Sequence, residues 1–387
     1  MAALSHDISQ PSHVSHASRM APLQFTDEHG TRWWPRCIFQ GLAHDPVDQF
    51  AFVYLGGQLR ELGARKCDVW HEPGSTQHCP CAAPSGLLGG QHTVVEIGAN
   101  DGLHMSNSYF FERHLGWRSL CIEANPRTFQ RLLANRPRCA SVNALVGIPG
   151  HVQTNSSGQP HLVPFISLYR SHGVDKLISF RDWETGLSGI EGSGHKEISS
   201  LEAAQAFATV QNSKAAGGQL IAERAMLPMR PFAQIFQEHS VADVDILFVD
   251  VEGAEMAVLS SIDFAAVRIG LIVIECEVAT GQRLRLNHSE AQYAARRGKA
   301  LVAFLEEHGY RRLPFSFPLG DYAFARRADL LTGASAGGAL RNSLTPSSSA
   351  AAGRAGAMRQ TPSIAQRLER WLCAACAPWC CSVHLHI

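Results

Sequence analysis

Residues 94–102 read Val-Val-Glu-Ile-Gly-Ala-Asn-Asp-Gly, and residues 120–126 read Leu-Cys-Ile-Glu-Ala-Asn-Pro. The first is an apolar run that stops on a tight turn with Gly98 and Gly102. The second is an apolar run that ends on Glu123, twenty-one residues after Gly102. This pairing constrains the chain more than any other segment. It asks for neighbouring parallel strands in an α/β sheet, with a turn that lets backbone approach a ligand. An acid at the tip of the next strand is placed to hold ribose hydroxyls.

The glycine spacing narrows that ligand. A dinucleotide turn uses G-x-G-x-x-G, because the pyrophosphate sits on a helix N-terminus. Here the pattern is G-x-x-x-G, and Glu96 and Asp101 flank and occupy the turn. Two acids repel a pyrophosphate but suit ammonium and sulfonium groups, which S-adenosylmethionine carries. A third segment, residues 243–256, reads Asp-Val-Asp-Ile-Leu-Phe-Val-Asp-Val-Glu-Gly-Ala-Glu-Met. Its continuous apolar run, Ile246–Val249, predicts a strand buried on both faces. It ends on Asp250, followed by Glu252 and Glu255, at the strand end where open α/β sheets bind ligands. Glu255 also suits the first turn of the following helix.

Val94–Gly102, Ser106-Asn107 followed by Phe110-Phe111-Glu112, Leu115–Trp117, Cys121–Pro126, Val142–Gly147 and Phe248–Glu255 together resemble the FkbM family of S-adenosylmethionine-dependent methyltransferases. The most specific string is Val-Asp-Val-Glu-Gly-Ala-Glu at 249–255. The resemblance runs from about Asp45 to Arg327 and is weak over residues 151–225. It implies a class I methyltransferase fold: a doubly wound, Rossmann-like, mostly parallel sheet with a C-terminal antiparallel hairpin. It also implies O-methylation of a hydroxyl on a sugar, lipid or polyketide-like small molecule.

On this reading Glu96, Gly98, Asn100, Asp101 and Gly102 face the methionine end of S-adenosylmethionine. Glu123 holds the ribose, and Asn143, at the end of the third strand, contacts the adenine. An Asn there also suits a turn. Asp250 is the catalytic candidate, orienting or deprotonating the acceptor hydroxyl, or alternatively pairing with the cofactor's ammonium group. His195 is a weaker base candidate, because nineteen histidines make one there by chance unsurprising. No metal is expected at the site. Two other classes stay open. One is a nucleotide-dependent oxidoreductase, which the glycine spacing disfavours. The other is a non-catalytic member of the fold that binds a partner.

The rest of the chain organises around this core. Residues 1–44 read as a disordered leader, 45–327 as the methyltransferase domain, 328–363 as a flexible Ala/Gly/Ser linker, and 364–387 as a short helix with a cysteine-rich tail. Strands are expected at Thr93–Ile97, Ser119–Glu123, Ala140–Leu145, Ile246–Val249 and Gly270–Glu275. Asn125 is placed to cap a helix with Pro126 at its first position. Helices are also expected at 107–115, 199–211, 232–239 and 299–308. Arg311–Phe315 and Tyr322–Arg326 should form the final hairpin. Between the third and fourth strands the chain spends about a hundred residues, far more than a connection needs. Residues 152–154 and 162–166 look like a hairpin, and residues 151–225 are the expected acceptor region.

Charge adds exclusions. Thirty-four basic and thirty-four acidic residues leave no net charge, hence no general electrostatic pull toward nucleic acid. No transmembrane run or signal peptide is evident, so the cytoplasm is the default compartment. Of eleven cysteines, Cys121 and Cys276 lie in apolar strands and read as core residues, while Cys139 is scattered. The odd count argues against a complete disulfide framework. Cys373, Cys376, Cys380 and Cys381, with His384 and His386, read as acylated or exposed thiols, giving possible peripheral membrane contact, before they read as a zinc site.

Overall fold

The structure is a computed structural model. It describes residues 25–26, 32–34, 47–56, 58–59, 81–82, 85–147, 162–170, 186–193, 196–214, 218–276, 288–316 and 321–331. The leader beyond its few described residues, His195, residues 152–154, the linker beyond Leu331 and the cysteine-rich tail lie outside them, while the first residues of the expected linker belong to a short helix, Arg327–Leu331.

Four short strands, β1 (Phe25–Thr26), β2 (Arg32–Trp34), β3 (Gln58–Leu59) and β4 (Cys81–Ala82), form a small antiparallel sheet, and α1 (Val47–Tyr54) follows β2 in the chain. The main sheet has seven strands. Five are β5 (Thr93–Ile97), β6 (Arg118–Glu123), β7 (Ala140–Asn143), β12 (Asp243–Val249) and β13 (Arg268–Ile274). They run parallel, in the order β13-β12-β5-β6-β7. Beyond β13, β15 (Tyr322–Arg326) and then β14 (Tyr310–Ser316) add antiparallel strands. The fold is therefore α/β with a mostly parallel, mixed sheet.

Alternation along the strands divides the core in two. Val94, Ile246, Phe248, Leu271 and Val273 point to one face. There Phe50 and Phe52 of α1, with Leu55 just after it, meet Phe110, Phe111 and Leu115 of α2 (Tyr109–Leu115). Val95, Ile97, Leu247, Val249, Ile272 and Ile274 point to the other. There they meet α5 (Phe232–Glu238), α6 (Glu255–Ser260) and α7 (His288–Glu307) through Phe232, Phe236, Val258, Leu259, Leu301 and Leu305. Because both faces are covered, the central strands are continuous apolar runs. Packing of α1 on the first face places Val47–Tyr54 within this core.

Helix α3 (Pro126–Asn135) starts as its sequence dictates. Asn125 is extended and its side chain accepts from the Arg127 N–H, with Pro126 at the first helical position. The expected third strand, Ala140–Leu145, is shorter. The main-sheet pairing ends at Asn143, because the Ala144 N–H turns to the Glu123 carbonyl and the Asn143 amide ties down the Glu123 and Ala124 carbonyls. The next residues, β8 (Leu145–Val146), pair with a different strand.

That strand is β11 (Leu220–Arg230), which the sequence did not announce. It pairs along its length with β9 (Leu162–Arg170), and β9 also pairs with β10 (Gly189–Ile190). Among the described residues, 162–166 pairs with β11 and, at Phe165 and Ile166, with β10. Helix α4 (Leu201–Lys214) covers one side of this inserted sheet, burying Ala204 and Ala208 against Ile166, Leu168 and Ala222. The helix expected from residue 107 begins at Tyr109, since Ser106, Asn107 and Ser108 are engaged elsewhere. The one expected from Lys299 begins at His288. Cys121 is core, as expected, but Cys139 is not merely scattered: the two form a disulfide behind β6.

Candidate functional site

Where the parallel strands end, their connecting turns line a crevice that opens to solvent. Gly98, Asn100, Glu123 and Asp250 line it, so four of the residues singled out in the sequence converge. His104, Met105, Ala144, Phe165, Ser188 and Ile190 complete much of its wall. The insert therefore closes the crevice with β9 and β10.

Gly98 has φ +87°, and a Cβ there would lie 1.7 Å from the Asp250 carbonyl oxygen. Its lack of a side chain serves the crossing of two strand ends. The Asp250 N–H donates to Ile97 O at 3.0 Å, and the Gly98 N–H to Ile122 O at 2.9 Å. β5 is thereby tied to both neighbours just where the crevice opens. Asn100 follows in a left-handed conformation, φ +49°, which Asn tolerates better than most residues.

Glu123 ends β6 with both carboxylate oxygens engaged. Oε2 accepts from the Asn100 N–H at 2.8 Å and Oε1 from the Asn125 N–H at 2.6 Å. Burial pushes its carboxyl up to about 7, and these backbone donors only partly offset that. Each oxygen keeps a lone pair for a further donor.

Glu96 lies behind the crevice wall. It accepts from Ser106 Oγ, the Asn107 N–H and Ser108 Oγ, at 2.9, 2.6 and 2.6 Å, and so fills the donors just ahead of α2. Burial raises its pKa, against the favourable charge of Arg136. Asp101 is buried too, and accepts from the Leu103 and His104 N–H groups of its own turn. Gly102 packs where a Cβ would meet Leu132 and Arg136. Arg136, 1% exposed, donates to Gly102 O, Ser106 Oγ, Ser108 Oγ and Glu112. Glu96, Asp101 and Gly102 thus shape the turn from behind and do not line the crevice. Asn143 does not line it either: its amide is spent on the Glu123 and Ala124 carbonyls.

Asp250 directly follows β12, and on the adjacent strand Glu275 directly follows β13, with the Glu275 N–H donating to Val249 O at 2.9 Å. Asp250 is solvent-exposed where it lines the crevice, and the surrounding protein and the negative charges of Glu252 and Glu255 push its pKa upward. Glu275 is raised well above the usual carboxylate range for the same reasons. Glu255 is relieved by Arg297 at 2.5 Å. Among the described residues neither Asp250 nor Glu275 has an ion pair. Sequence reading missed Glu275, though it ends an apolar strand just as Glu123 does.

The sequence matches the model of the methyltransferase FkbM domain over residues 96–312, more than half of the chain. The chain belongs to the FkbM methyltransferase family. No curated protein matches it. The FkbM match starts at Glu96, within β5, and ends at Arg312, within β14. It therefore spans the crevice, the insert and the Asp250–Glu275 pair.

Proposed function

We propose that this FkbM family member transfers a methyl group from S-adenosylmethionine to a hydroxyl of a small molecule, sugar or lipid. The observation that carries the reading is the chemistry of the crevice. Its polar wall holds Glu123, Asp250 and Glu252, a set that attracts a ligand bearing ammonium and sulfonium charges. The donors ahead of α2, where a pyrophosphate would be sought, are filled by the Glu96 carboxylate, which argues against a dinucleotide-dependent oxidoreductase.

The residues fit such a cofactor. Glu123, whose two oxygens each retain a lone pair, is the group for a ribose diol. Gly98 and Asn100 supply backbone between it and Asp250. When bound, the cofactor supplies an electrophilic methyl group. The chain's part is to orient the acceptor, exclude water and receive the acceptor's proton. Asp250 is the group for the proton. The insert, which contributes Phe165, Ser188 and Ile190 to the wall, is where an acceptor would be selected.

Thermal melting with S-adenosylmethionine, S-adenosylhomocysteine and NAD tests the reading. The first two should raise the melting temperature, by about 2.7 kcal/mol of added stability at a hundredfold excess over Kd. Stabilisation by NAD alone would overturn it.

A further inference from the structure

We infer that the Cys121–Cys139 disulfide places the crevice under redox control: the bonded pair seats the glycine turn and Glu123, and the dithiol form binds S-adenosylmethionine weakly. The inference rests on the reading of the crevice as a cofactor site and adds a control to it. Alternation puts Ser119, Cys121 and Glu123 on one face of β6. Each ties the strand to a different partner. The Ser119 hydroxyl donates to Glu112 of α2. Cys121 is bonded to Cys139, the residue before β7. Glu123 accepts from the Asn100 and Asn125 N–H groups. The disulfide is therefore the nearest tie to Glu123 on that face, and the loop it closes contains Glu123, Asn125 and all of α3.

Two routes lead from the sulfurs to the crevice. The first is packing. Cys121 and Cys139 share a buried cluster with Ala99 and Leu132, which are 1% and 0% exposed. Ala99 follows Gly98, and the N–H groups of both donate to Ile122 O, at 3.0 and 2.9 Å. Leu132 packs so close to Gly102 that a Cβ there would lie 2.5 Å from its Cδ1. The second route is Arg136. Its carbonyl accepts from the Cys139 N–H at 3.0 Å, and its guanidinium donates to Gly102 O at 3.1 Å. It also donates to Glu112, whose carboxylate lies within 4.8 Å of both sulfurs. The glycine turn is thus held at both ends by groups that touch the disulfide or its turn.

Reduction is a thiol–disulfide exchange. A thiolate of an external dithiol attacks one sulfur, the S–S bond breaks, and the other sulfur leaves with the electron pair and takes up a proton. The second thiol of the dithiol then displaces the remaining cysteine, which is protonated in turn. The reductant ends as a disulfide, and the protein has gained two electrons and two protons as two thiols. Cys139 is the more open residue, 8% exposed against 0% for Cys121. Two thiols need more room than a bonded pair, and a close-packed core has none to spare. The neighbours that must yield are Ala99, Leu132 and the Arg136 turn, so Gly98–Gly102 shifts with them. Disulfides persist where the surroundings are oxidising, and affinity for the cofactor follows that state.

The test uses the full chain oxidised, reduced with dithiothreitol, and reoxidised with oxidised glutathione. Calorimetry with S-adenosylmethionine should show affinity weakened about tenfold or more by reduction and recovered on reoxidation. Differential alkylation with mass spectrometry follows the Cys121–Cys139 bond across redox buffers, and affinity should fall at the poise where that bond opens. The double variant Cys121→Ala, Cys139→Ala should bind weakly in all three conditions. A merely stabilising disulfide would lower the melting temperature on reduction and leave affinity alone. Affinity unchanged while the bond opens, or a redox response retained by the double variant, would overturn the inference. If the variant does not fold, the joint titration of bond and affinity decides by itself.

Hydrogen exchange needs no ligand and separates this inference from the cofactor reading. The Gly98, Ala99, Asn100 and Asn125 amides should exchange faster once the bond is open. The Thr93 amide, held by Asp245 at the other end of the sheet, should not. Faster exchange with no S-adenosylmethionine binding in either state removes the cofactor reading and leaves the redox control of the turn. Equal binding in both states, with exchange unchanged, removes the control and leaves the cofactor reading.

Discussion

The two ends of the main sheet handle buried charge in opposite ways. Where the strands begin, acids meet donors and bases. Asp245 accepts from the Thr93 N–H at 2.8 Å and lies 3.2 Å from His92 Nδ1. His92 stacks on Trp117, whose indole N–H donates to Leu87 O at 2.7 Å. Arg268 reaches Asp329 at 3.2 Å. Where the strands end, acids crowd: Asp250 and Glu275 follow neighbouring strands with Glu252 and Glu255 nearby, and of these Glu255 pairs with Arg297. Left-handed residues other than glycine occur at both ends: Asn100, Met105 and Glu252 at the crevice, and Ser240 in the turn that leads into β12. One end of the sheet is built to be stable alone, and the other tolerates a cost that a cationic ligand would relieve.

The comparison breaks hardest at Gly98. Gly98→Ala puts a methyl 1.7 Å from the Asp250 carbonyl oxygen at φ +87°. Strand ends that are hydrogen-bonded to each other cannot separate by that much, so the loss should exceed about 3 kcal/mol. Chemical denaturation measures it. A stable Gly98→Ala protein would mean that the β5 and β12 ends are not locked together.

Glu123 sharpens the comparison through pH. Its carboxyl is held up near 7 without ligand, and ribose donors would favour its charged form. Proton release therefore accompanies binding. S-adenosylmethionine affinity should be flat above about pH 7 and fall below it, by up to tenfold per unit. Glu123→Gln should weaken binding about ten- to a hundredfold, the worth of hydrogen bonds to a charged group, and remove the pH dependence. Calorimetry at several pH values checks both. Glu123→Ala is the poorer probe, since it also strands the Asn100 and Asn125 N–H groups.

At the opposite end, Asp245→Ala should leave cofactor affinity alone and cost stability. It strips the Thr93 N–H of its acceptor, a loss of about 1–3 kcal/mol for a buried donor. Paired melting and binding measurements separate the two effects. Weakened binding here would show that the ends of the sheet are coupled.

Legibility in the sequence follows the same divide between regular and conditional structure. Thr93–Ile97, the Asn125 cap and the burial of Ile246–Val249 are local: period, cap residue and apolar run each imply their own geometry. Placement of Gly98, Asn100, Glu123 and Asp250 around one crevice follows from parallel strand ends. The side each acid faces was not legible. Glu96 lies in β5 just before the glycine turn and Asp101 lies within it, but the direction of the Glu96 side chain depends on Ser106, Asn107 and Ser108, and that of Asp101 on the Leu103 and His104 N–H groups. Strand β11 was illegible for a related reason. Most of Glu223–Pro228 is solvent-facing on both sides, so it shows no alternation, and its identity as a strand comes from β9, some sixty residues earlier in the chain. Glu275 was passed over because one acid at a strand end carries little signal until a second is beside it.

The smallest expected effect lies where the insert meets the core. Arg127, at the start of α3, sits 3.9 Å from the centre of the Tyr169 ring and donates to Glu223 at 2.9 Å. The Tyr169 hydroxyl donates to the same carboxylate at 2.5 Å. This cluster ties β9 and β11 to the helix that follows Glu123, and so bears on the crevice wall. Arg127 and Glu223 are nonetheless 54% and 47% exposed, and exposed pairs are worth roughly 0–1 kcal/mol. Arg127→Ala should therefore lower stability by less than about 1 kcal/mol and leave cofactor affinity within about threefold, with the stability loss shrinking as salt is raised. Melting and calorimetry at low and high ionic strength measure both. A tenfold loss of affinity would mean that the insert is held over the crevice by this cluster. The hydrogen bond from Ser193 Oγ to the Glu252 carbonyl would then be too weak to seat it, and the acid-rich end of the sheet would owe its geometry to a surface contact.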